Sequence, residues 1–398
     1  MEHPFHNALG IIQTLKQYGH EAFFVGGCVR DWLLQRPIGD VDIATSAKPN
    51  EVQDIFDKVI PVGIEHGTVI VRYDGESYEV TTFRVEGAYS DQRHPDTVHF
   101  VTSLEADLER RDFTINALAM GENGEIIDPF KGRQDLQYQQ IRTVGNGHDR
   151  FKEDALRIIR GLRFSSQLGF SIAFNTLNHM IDLKNHINYL AVERIYAEME
   201  KLLSGDSIQT GLNYCLQTGI GYELPVFKDH PGLFEEIVVL NRPLTSFAEF
   251  IAFCHYKRPD VSIHEWVKEW KAPNRIKYQA MALTHALTDY GQNGLNTWLV
   301  YQLPYELLES FVRLEHLLQD GSVTVEDLRN MKANLQINSK RELAVDGNDL
   351  LQMFPERMPG PWLKEHLQLL EKHVVMNHLK NDKHILEEWI QCHPPGKH

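Results

Sequence analysis

Two aspartates separated by one residue, Asp40 and Asp42, are the residues of this sequence whose type and spacing best suit chemistry. Side chains two apart on a strand share one face at about 7 Å, so both carboxylates can hold divalent cations. The Gly26–Gly27 pair just upstream lets the backbone approach a phosphate closely. A lone pair of spaced aspartates is more often a solvated feature, but the nearby glycines favour a metal-dependent phosphoryl- or nucleotidyl-transfer site. Mg²⁺, a hard ion that prefers oxygen ligands, suits such a site.

A basic segment further along the chain could hold the phosphates. Between Arg142 and Arg163 there are six basic and three acidic residues, although the whole chain has a net charge of −15. A locally basic segment in an acidic protein indicates a focused phosphate site. The apolar spacing predicts a helix over 153–167, on which four charged residues follow in steps of three: Asp154, Arg157, Arg160 and Arg163. A solvated charged face is the common explanation, but three neighbouring arginines repel one another and favour a bound triphosphate.

Two further arginines stand in short motifs that suit phosphate recognition. Arg30 follows the glycine pair, where it could contact a phosphate or a ribose, and Asp31 beside it fits a structural role. Arg111 stands in an Arg-Arg-Asp sequence that we expect at a helix start, where anions bind well. A surface ion pair would explain that sequence if it stood alone. Beside the aspartate motif, we interpret Arg111 as a contact to the triphosphate or the base.

Asp154 and Arg157 could also distinguish nucleobases. Cytosine and adenine both present an amino donor beside a ring-nitrogen acceptor, whereas uracil and guanine present a carbonyl beside an N–H. A carboxylate can accept from the amino group and a guanidinium can donate to the ring nitrogen. One Asp–Arg pair would therefore accept C and A. It would reject U and G, whose mismatched polar groups cost on the order of 1–3 kcal/mol each.

The periodicity divides the chain into an α+β part and a helical part. Strand and helix signals alternate over 1–142, with hairpin turns at Asp74–Gly75 and Asn123–Gly124. From about residue 151 the apolar period is that of helices. Glu79, on a predicted strand, is either a third carboxylate that acts as a base or a plain surface residue.

Composition sets limits on the class of protein. No apolar run approaches the ~18 residues of a membrane span, and the N-terminus has no pattern of a secretory signal. The four cysteines are far apart and form no CxxC motif, which suits a reducing environment. We therefore expect a cytoplasmic protein with two to four domains.

The three motifs, in this order and spacing, resemble those of the class II tRNA nucleotidyltransferases, the CCA-adding enzymes, and are most similar to the bacterial, Bacillus-type branch. The resemblance is close over 5–203 and looser through the sequence Lys-Arg-Glu-Leu-Ala-Val-Asp-Gly at 340–347. It implies a polymerase-β-like nucleotidyltransferase head followed by an all-helical neck, body and tail. Applied to this chain, it predicts a catalytic head at 1–142, a nucleotide-selecting neck at 143–205, a body at 206–273 and a tRNA-binding tail at 274–398.

The resemblance also implies roles for the motif residues. Asp40 and Asp42 would bind Mg²⁺ and carry the catalysis, and Asp154 with Arg157 would act as a protein template. The residues expected to hold CTP or ATP are Gly27, Arg30, Arg111, Asp154, Arg157, Arg160 and Arg163. The implied partners are CTP, ATP and the 3′ end and acceptor stem of tRNA, without a membrane. The sequence does not fix the oligomeric state, and a homodimer is compatible with it.

Several related functions remain open at this stage. Some family members add only CC and lack a flexible loop, whereas residues 85–96 here have the polar, aperiodic character of an intact loop. This favours complete CCA addition or addition of the final A alone. A poly(A) polymerase of the same superfamily would be expected to carry basic extensions. A tRNA-binding chaperone on an inactive scaffold would not need both aspartates. A small-molecule nucleotidyltransferase would not need the long helical half.

Overall fold

The structure is a computed structural model that describes residues 5–87, 89, 96–230, 232–319, 321 and 323–394. The chain forms two compact units, one through Pro243 and the other from Leu244 onward. The predicted division into four domains is finer than this and stays a prediction.

A seven-stranded sheet is the centre of the first unit, with the strand order β3-β4-β5-β2-β1-β8-β9. The strand β2 pairs with β5 in parallel and with β1 antiparallel, so β1 and β5 lie on opposite sides of β2. Two smaller pairs, β6 with β7 and β10 with β11, lie outside this sheet. The strands are β1 (Ala22–Val25), β2 (Asp42–Thr45), β3 (Val59–Ile60), β4 (Thr68–Tyr73), β5 (Glu76–Thr82), β6 (Arg84–Glu86), β7 (Val98–Phe100), β8 (Ala119–Met120), β9 (Ile126–Ile127), β10 (Gln140–Ile141) and β11 (Ser171–Ile172).

Eleven α-helices of the first unit lie within the described residues. They are α1 (Phe5–Gln17), α2 (Gly27–Leu33), α3 (Pro49–Ile55), α4 (Leu104–Glu109), α5 (Gly132–Gln137), α6 (Gly147–Glu153), α7 (Leu156–Leu168), α8 (Phe174–Leu183), α9 (Val192–Leu203), α10 (Ile208–Thr218) and α11 (Leu233–Ile237). Their apolar faces explain where they pack. In α7, for example, Leu156, Ile159 and Leu162 are buried, and the helix packs on α9 and α10.

The local expectations for the sheet are confirmed. The turn at Asp74–Gly75 joins β4 to β5, and the turn at Asn123–Gly124 joins β8 to β9, both as antiparallel pairs. Gly75 and Gly124 have the positive φ angles that such tight turns favour. The α+β head followed by a predominantly helical chain is therefore correct, with the two-residue strand β11 as a small addition after α7.

The expected loop at 85–96 begins later than the sequence indicates. Val85 and Glu86 belong to β6, which pairs with β7 in the register Val85↔His99 and Glu86↔Val98. Backbone pairing therefore takes these two residues out of the loop. Residues 88 and 90–95 lie outside the described residues, so the expectation of an intact loop stays a prediction.

The second unit is built from helices in the part of the chain that the structure describes. A core that includes Val345, Leu370, Val374, Leu386 and Ile390 forms near its C-terminal end. The helices are α12 (Phe247–Lys257), α13 (Ile263–Glu269), α14 (Asn274–Asn293), α15 (Thr297–Gln302), α16 (Leu308–Leu318), α17 (Val325–Ala333), α18 (Gly347–Met353), α19 (Pro361–Val375) and α20 (Lys383–Cys392). Among the described residues, no helix has the length and apolar character that crossing a bilayer requires.

Candidate active site

One cavity of about 560 Å³ lies over the sheet of the first unit and receives most of the predicted site residues. It is lined by eight arginines, and its acidic lining residues include Asp42, Glu79 and Asp154. The predicted residues at this cavity are Gly27, Arg30, Asp42, Arg111, Asp154, Arg157, Arg160 and Arg163. Asp40 is exposed and is not among the lining residues, although its charge acts on Asp42.

The spacing predicts both aspartates on one strand, but only one of them lies on a strand. Asp42 is the first residue of β2, whereas Asp40 lies in the preceding connection. Burial, followed by the negative charges of Glu79 and Asp40, raises the pKa of Asp42 from 3.8 to about 6. Asp42 and Glu79 are register partners on neighbouring strands, so their side chains share one face of the sheet.

These carboxylates are suitable ligands for a divalent metal ion. In the described part of the chain, Asp40, Asp42 and Glu79 form no ion pair with a basic side chain. Burial and the neighbouring acids raise the pKa of Asp42 although the charge of Arg111 lowers it, so the protein compensates its negative charge only in part. A bound cation would provide the remaining compensation, and carboxylate oxygens are preferred ligands of hard cations. Within the described residues, however, no group of three or more potential ligands is arranged for a metal ion.

Of the two glycines, only Gly26 has a backbone conformation that favours glycine. Gly26 has a φ of 79°, which L residues rarely adopt, and a Cβ there would lie 2.7 Å from the Arg111 Nη1 atom. Gly27 is the first residue of α2, and a Cβ there would meet only Arg30, at 3.6 Å. Gly26 therefore allows the close approach of Arg111, while the amide of Gly27 lies at the start of the helix.

This difference predicts unequal effects of two alanine substitutions. We expect Gly26→Ala to lower the free energy of unfolding by about 1–3 kcal/mol, because it adds backbone strain and displaces Arg111. Gly27→Ala is the matched control, and we expect it to change the free energy of unfolding by less than about 0.5 kcal/mol. Urea denaturation of both variants measures this, and equal losses would contradict the assignment.

Three arginines from two helices, α2 and α7, surround one aromatic ring. The guanidinium carbons of Arg30, Arg160 and Arg163 lie 5.2, 5.6 and 4.1 Å from the ring centroid of Phe164. The negative face of an aromatic ring attracts such cations, which helps to hold three like charges together. Phe164 therefore organises a cationic group at the cavity, although nothing in the sequence analysis singled it out.

Each of these arginines also has a carboxylate partner. Arg30 pairs with Asp31 and donates to Asn116 Oδ1 at 2.6 Å. Arg160 pairs with Asp112 at 2.7 Å, and Arg163 pairs with Glu198 at 3.0 Å. In the predicted row, Arg157, Arg160 and Arg163 therefore repel one another less than their spacing alone indicates, because acids balance part of their charge, and triphosphate binding stays a prediction. These pairs fix the guanidinium groups in place before an anion arrives.

Arg110 and Arg111 lie at the end of a helix and not at its start. Arg110 caps the C-terminus of α4, and the chain then continues into a 3₁₀ turn at Thr114–Asn116. Arg111 Nη2 lies 3.6 Å from Asp107 Oδ2, and its Nη1 donates to the Asn116 carbonyl at 3.4 Å. The prediction that Arg111 binds a phosphate therefore depends on its guanidinium group at the cavity. Its position at the end of α4 does not support the predicted helix start.

Asp154 is not on the helix where the sequence predicted it. It lies in an extended conformation between α6 and α7, and its Oδ1 accepts from the Leu156 amide at 3.0 Å. The helix begins at Leu156 because the short aspartate side chain satisfies a free N–H at the helix start. Asp154 therefore does not share the helix of Arg157, Arg160 and Arg163, with which it was predicted to form a row.

Arg194 is a cavity residue that sequence reasoning missed. Its two terminal nitrogens donate to the two carboxylate oxygens of Asp154, at 3.2 and 2.7 Å. With the Leu156 amide, Oδ1 has two partners and Oδ2 has one among the described residues. A carboxylate oxygen can accept two hydrogen bonds, so Oδ2 keeps one position for a ligand.

Arg157 is likewise held by the protein while it keeps donors for a ligand. Its Nη1 donates to Glu153 and to the Arg150 carbonyl, and its Nη2 donates to the Arg110 carbonyl at 3.4 Å. In the described part of the chain, its Nε–H and one Nη2 hydrogen have no partner. Asp154 and Arg157 thus offer one acceptor and two donors at the same cavity.

The bidentate contact predicts that Arg194 positions Asp154. Lysine keeps the charge of Arg194 but cannot hold both carboxylate oxygens. If the cavity selects cytosine and adenine nucleotides as the sequence predicts, Arg194→Lys should lower their kcat/KM by roughly 10-fold and weaken discrimination against uracil nucleotides. Steady-state kinetics with each nucleotide measures this. Arg133→Lys, at an exposed position, is the control. Unaltered discrimination would contradict the assigned role.

The fold and the cavity define the class of protein as a nucleotidyltransferase. Residues 22–142 match the family model described as "Poly A polymerase head domain", and residues 245–390 match a model for tRNA nucleotidyltransferase domain 2. Residues 169–229 match "Probable RNA and SrmB-binding site of polymerase A". These matches cover most of the chain, including the sheet that carries Asp42.

Full-length relatives define the family more closely. The chain is 47% identical to the CCA-adding enzyme of Oceanobacillus iheyensis and 42% identical to that of Anoxybacillus flavithermus, with 98% of each protein covered in both cases. It is also similar to the crystal structure of the Bacillus stearothermophilus CCA-adding enzyme in complex with CTP, with a TM-score of 0.90, 39% identity, and coverage of 99% of this chain and 98% of that one. The chain belongs to the CCA-adding enzyme family. Nucleotidyltransferases of this kind generally use a divalent metal ion.

Proposed function

We propose that this protein adds C, C and A to the 3′ end of tRNA, without a nucleic-acid template, from CTP and ATP. The single observation that carries the proposal is the cavity itself. Carboxylates suited to a metal, arginines suited to a triphosphate and an acceptor–donor pair suited to cytosine and adenine all line it. The names of the full-length relatives support the same activity. We expect the enzyme to act in the cytoplasm.

The chemistry is a displacement at the α-phosphate of the nucleotide. The 3′-hydroxyl oxygen of the RNA forms a bond to this phosphorus, the bond to the β-phosphate oxygen breaks, and pyrophosphate leaves. The hydroxyl proton passes to solvent or to a nearby carboxylate, for which Glu79 is the candidate because it lines the cavity beside Asp42. The attacking and leaving oxygens lie roughly in line through the phosphorus.

Asp40 and Asp42 are the residues that would hold Mg²⁺. Their fit to the ion follows from the only partly compensated charge of Asp42. When bound, such an ion polarises the phosphate and lowers the pKa of the attacking hydroxyl. The protein's own part is to bind and orient the nucleotide, and the proposed contacts to its phosphates are Gly27, Arg30, Arg111, Arg160 and Arg163.

Asp154 and Arg157 select the base in this proposal. The free acceptor position on Asp154 Oδ2 receives the amino group of cytosine or adenine, and Arg157 donates to the adjacent ring nitrogen. Uracil and guanine would place a carbonyl against the carboxylate and an N–H against the guanidinium. Both contacts are repulsive, so a single pair of side chains can replace a template.

Product sequencing tests the function directly. A tRNA transcript that ends before CCA is incubated with the protein, Mg²⁺ and each nucleotide alone or in combination. We expect two C additions with CTP, one A addition after them when ATP is present, and no further growth. Addition of A only to a transcript already ending in CC would indicate an A-adding enzyme. Repeated A addition to unrelated RNA would indicate a poly(A) polymerase, and either result would overturn the proposal.

A further inference from the structure

The face of the sheet beside Asp42 carries a pair of threonines that the proposed function does not use. Thr68 on β4 and Thr81 on β5 are register partners, and their Oγ1 atoms lie 3.1 Å apart. Both line the same cavity as Asp42. Thr81 follows Glu79 by two positions, so both side chains point to the face that Asp42 shares.

A cross-strand threonine pair often serves only to stabilise a sheet. This pair differs because both side chains are only partly buried and border the cavity beside the candidate reactive centre. Each hydroxyl has one donor and two acceptor positions, and their shared bond uses one donor and one acceptor. One donor and several acceptors therefore remain for a third hydroxyl group that enters the cavity.

The order of the strands shows which substrate would meet this pair. Two phosphate-binding candidates, Gly27 and Arg30, lie on α2, which directly follows β1. Arg30 also packs on the ring of Phe164, as does a third candidate, Arg163. Strand β1 lies on one side of β2, and β5 and β4 lie on the other. Displacement at phosphorus requires the attacking oxygen to enter opposite the leaving pyrophosphate. With pyrophosphate leaving on the β1 side of Asp42, the attacking hydroxyl enters over β5 and β4.

We propose that the paired hydroxyls of Thr68 and Thr81 form the subsite for the terminal ribose of the RNA, with a hydrogen bond to its 2′-hydroxyl. The inference depends on the proposed function and assigns to these residues the sugar that carries the nucleophile. Arg84 lines the same cavity and brings positive charge that suits the phosphate of this terminal nucleotide. A contact to the 2′-hydroxyl distinguishes RNA from DNA at the growing end.

A cycle that combines a protein variant with a modified RNA tests the proposal. Two tRNA transcripts lacking CCA are prepared, with either ribose or 2′-deoxyribose at the 3′-terminal nucleotide. Addition of the first C is measured as kcat/KM for each RNA, with the wild type and with Thr81→Val. We expect the deoxyribose end to lower kcat/KM by roughly 3–10-fold in the wild type, as is typical of one lost hydrogen bond. In Thr81→Val the two RNAs should differ by less than about 2-fold.

Two further variants distinguish the loss of the ribose contact from a loss of folding stability. Thr81→Ser keeps the hydroxyl and should restore the preference for the ribose end. Thr143→Val is the matched control, because Thr143 pairs with Thr176 at 3.4 Å between Oγ1 atoms at a different cavity. It should retain the wild-type preference even if it lowers stability.

The outcomes distinguish this inference from the function on which it rests. If the wild type adds C equally well to both RNAs, or if the effects of Thr81→Val and the deoxyribose end multiply independently, the threonines only stabilise the sheet and the inference is wrong. If the wild type adds no C even to the ribose end, the proposed function itself fails.

Discussion

Asp42→Asn is expected to lower nucleotide addition by at least about 10³-fold and, at the same time, to stabilise the metal-free protein. Burial, Glu79 and Asp40 raise the pKa of Asp42 to about 6, so its ionised form is destabilised in the folded state. The neutral amide removes this cost while it keeps the size of the side chain. At pH 8 without divalent ions, we expect the free energy of unfolding to rise by on the order of 1–3 kcal/mol.

The pH dependence of this gain has a definite sign. A carboxyl whose pKa is higher in the folded than in the unfolded state stabilises the fold while protonated. That contribution is fully present below about pH 4 and is lost as the pH rises through about 6. Asp42→Asn should therefore match the wild type below pH 4 and exceed it at pH 8.

Urea denaturation across this pH range, with and without Mg²⁺, tests the stability side of the prediction. Mg²⁺ should stabilise the wild type more than the variant, because binding only to the folded state shifts the equilibrium toward it. Asp54→Asn, at an exposed helix position, is the control and should change neither activity nor stability. A variant that retains a tenth of the wild-type activity would contradict the role of Asp42.

The second large effect concerns the choice of base. Asp154→Asn replaces a pure acceptor by an amide that can turn either its oxygen or its NH₂ group toward the base. The variant can then donate to the carbonyl of uracil, so its rejection of UTP should weaken. We expect the ratio of kcat/KM for CTP over UTP to fall by roughly 10–100-fold, the equivalent of one mismatched polar contact.

Single-nucleotide addition assays with a tRNA lacking CCA give this ratio directly. Asp149→Asn is a suitable control, because Asp149 is on the neighbouring helix α6 and does not line the cavity. It should leave the ratio unchanged. If Asp154→Asn lowered addition of C, A and U by one common factor, Asp154 would support the local fold without reading the base.

Features encoded by neighbouring residues could be predicted from the sequence. The Gly-Gly turn, the hairpins at Asp74–Gly75 and Asn123–Gly124, and the apolar face of α9 all depend on a few adjacent positions. The clustering of motif residues in one cavity followed from their resemblance to a known family. The start of α7 was misplaced because helical spacing continues through Asp154, and only its hydrogen bond to the Leu156 amide shows the interruption.

Sequence patterns could not predict the contacts between distant segments of the chain. Arg194 is forty residues from Asp154, so no local pattern identifies Asp154 as its partner. One signal was available: Arg194 and Glu198 are four apart on α9, so they share a helix face, and they pair with Asp154 and Arg163 respectively. The role of Phe164 likewise appears only when three arginines are seen around its ring.

The eight arginines of the cavity have a consequence for regulation. Among the described residues that line it, none is a lysine. Acylation in cells attacks the amino group of lysine, which has a reactive neutral form, whereas guanidinium groups stay protonated and inert. Acetylation therefore cannot modify the arginines that we propose to bind the nucleotide, and any control through acetyl groups must act on other surfaces of the protein.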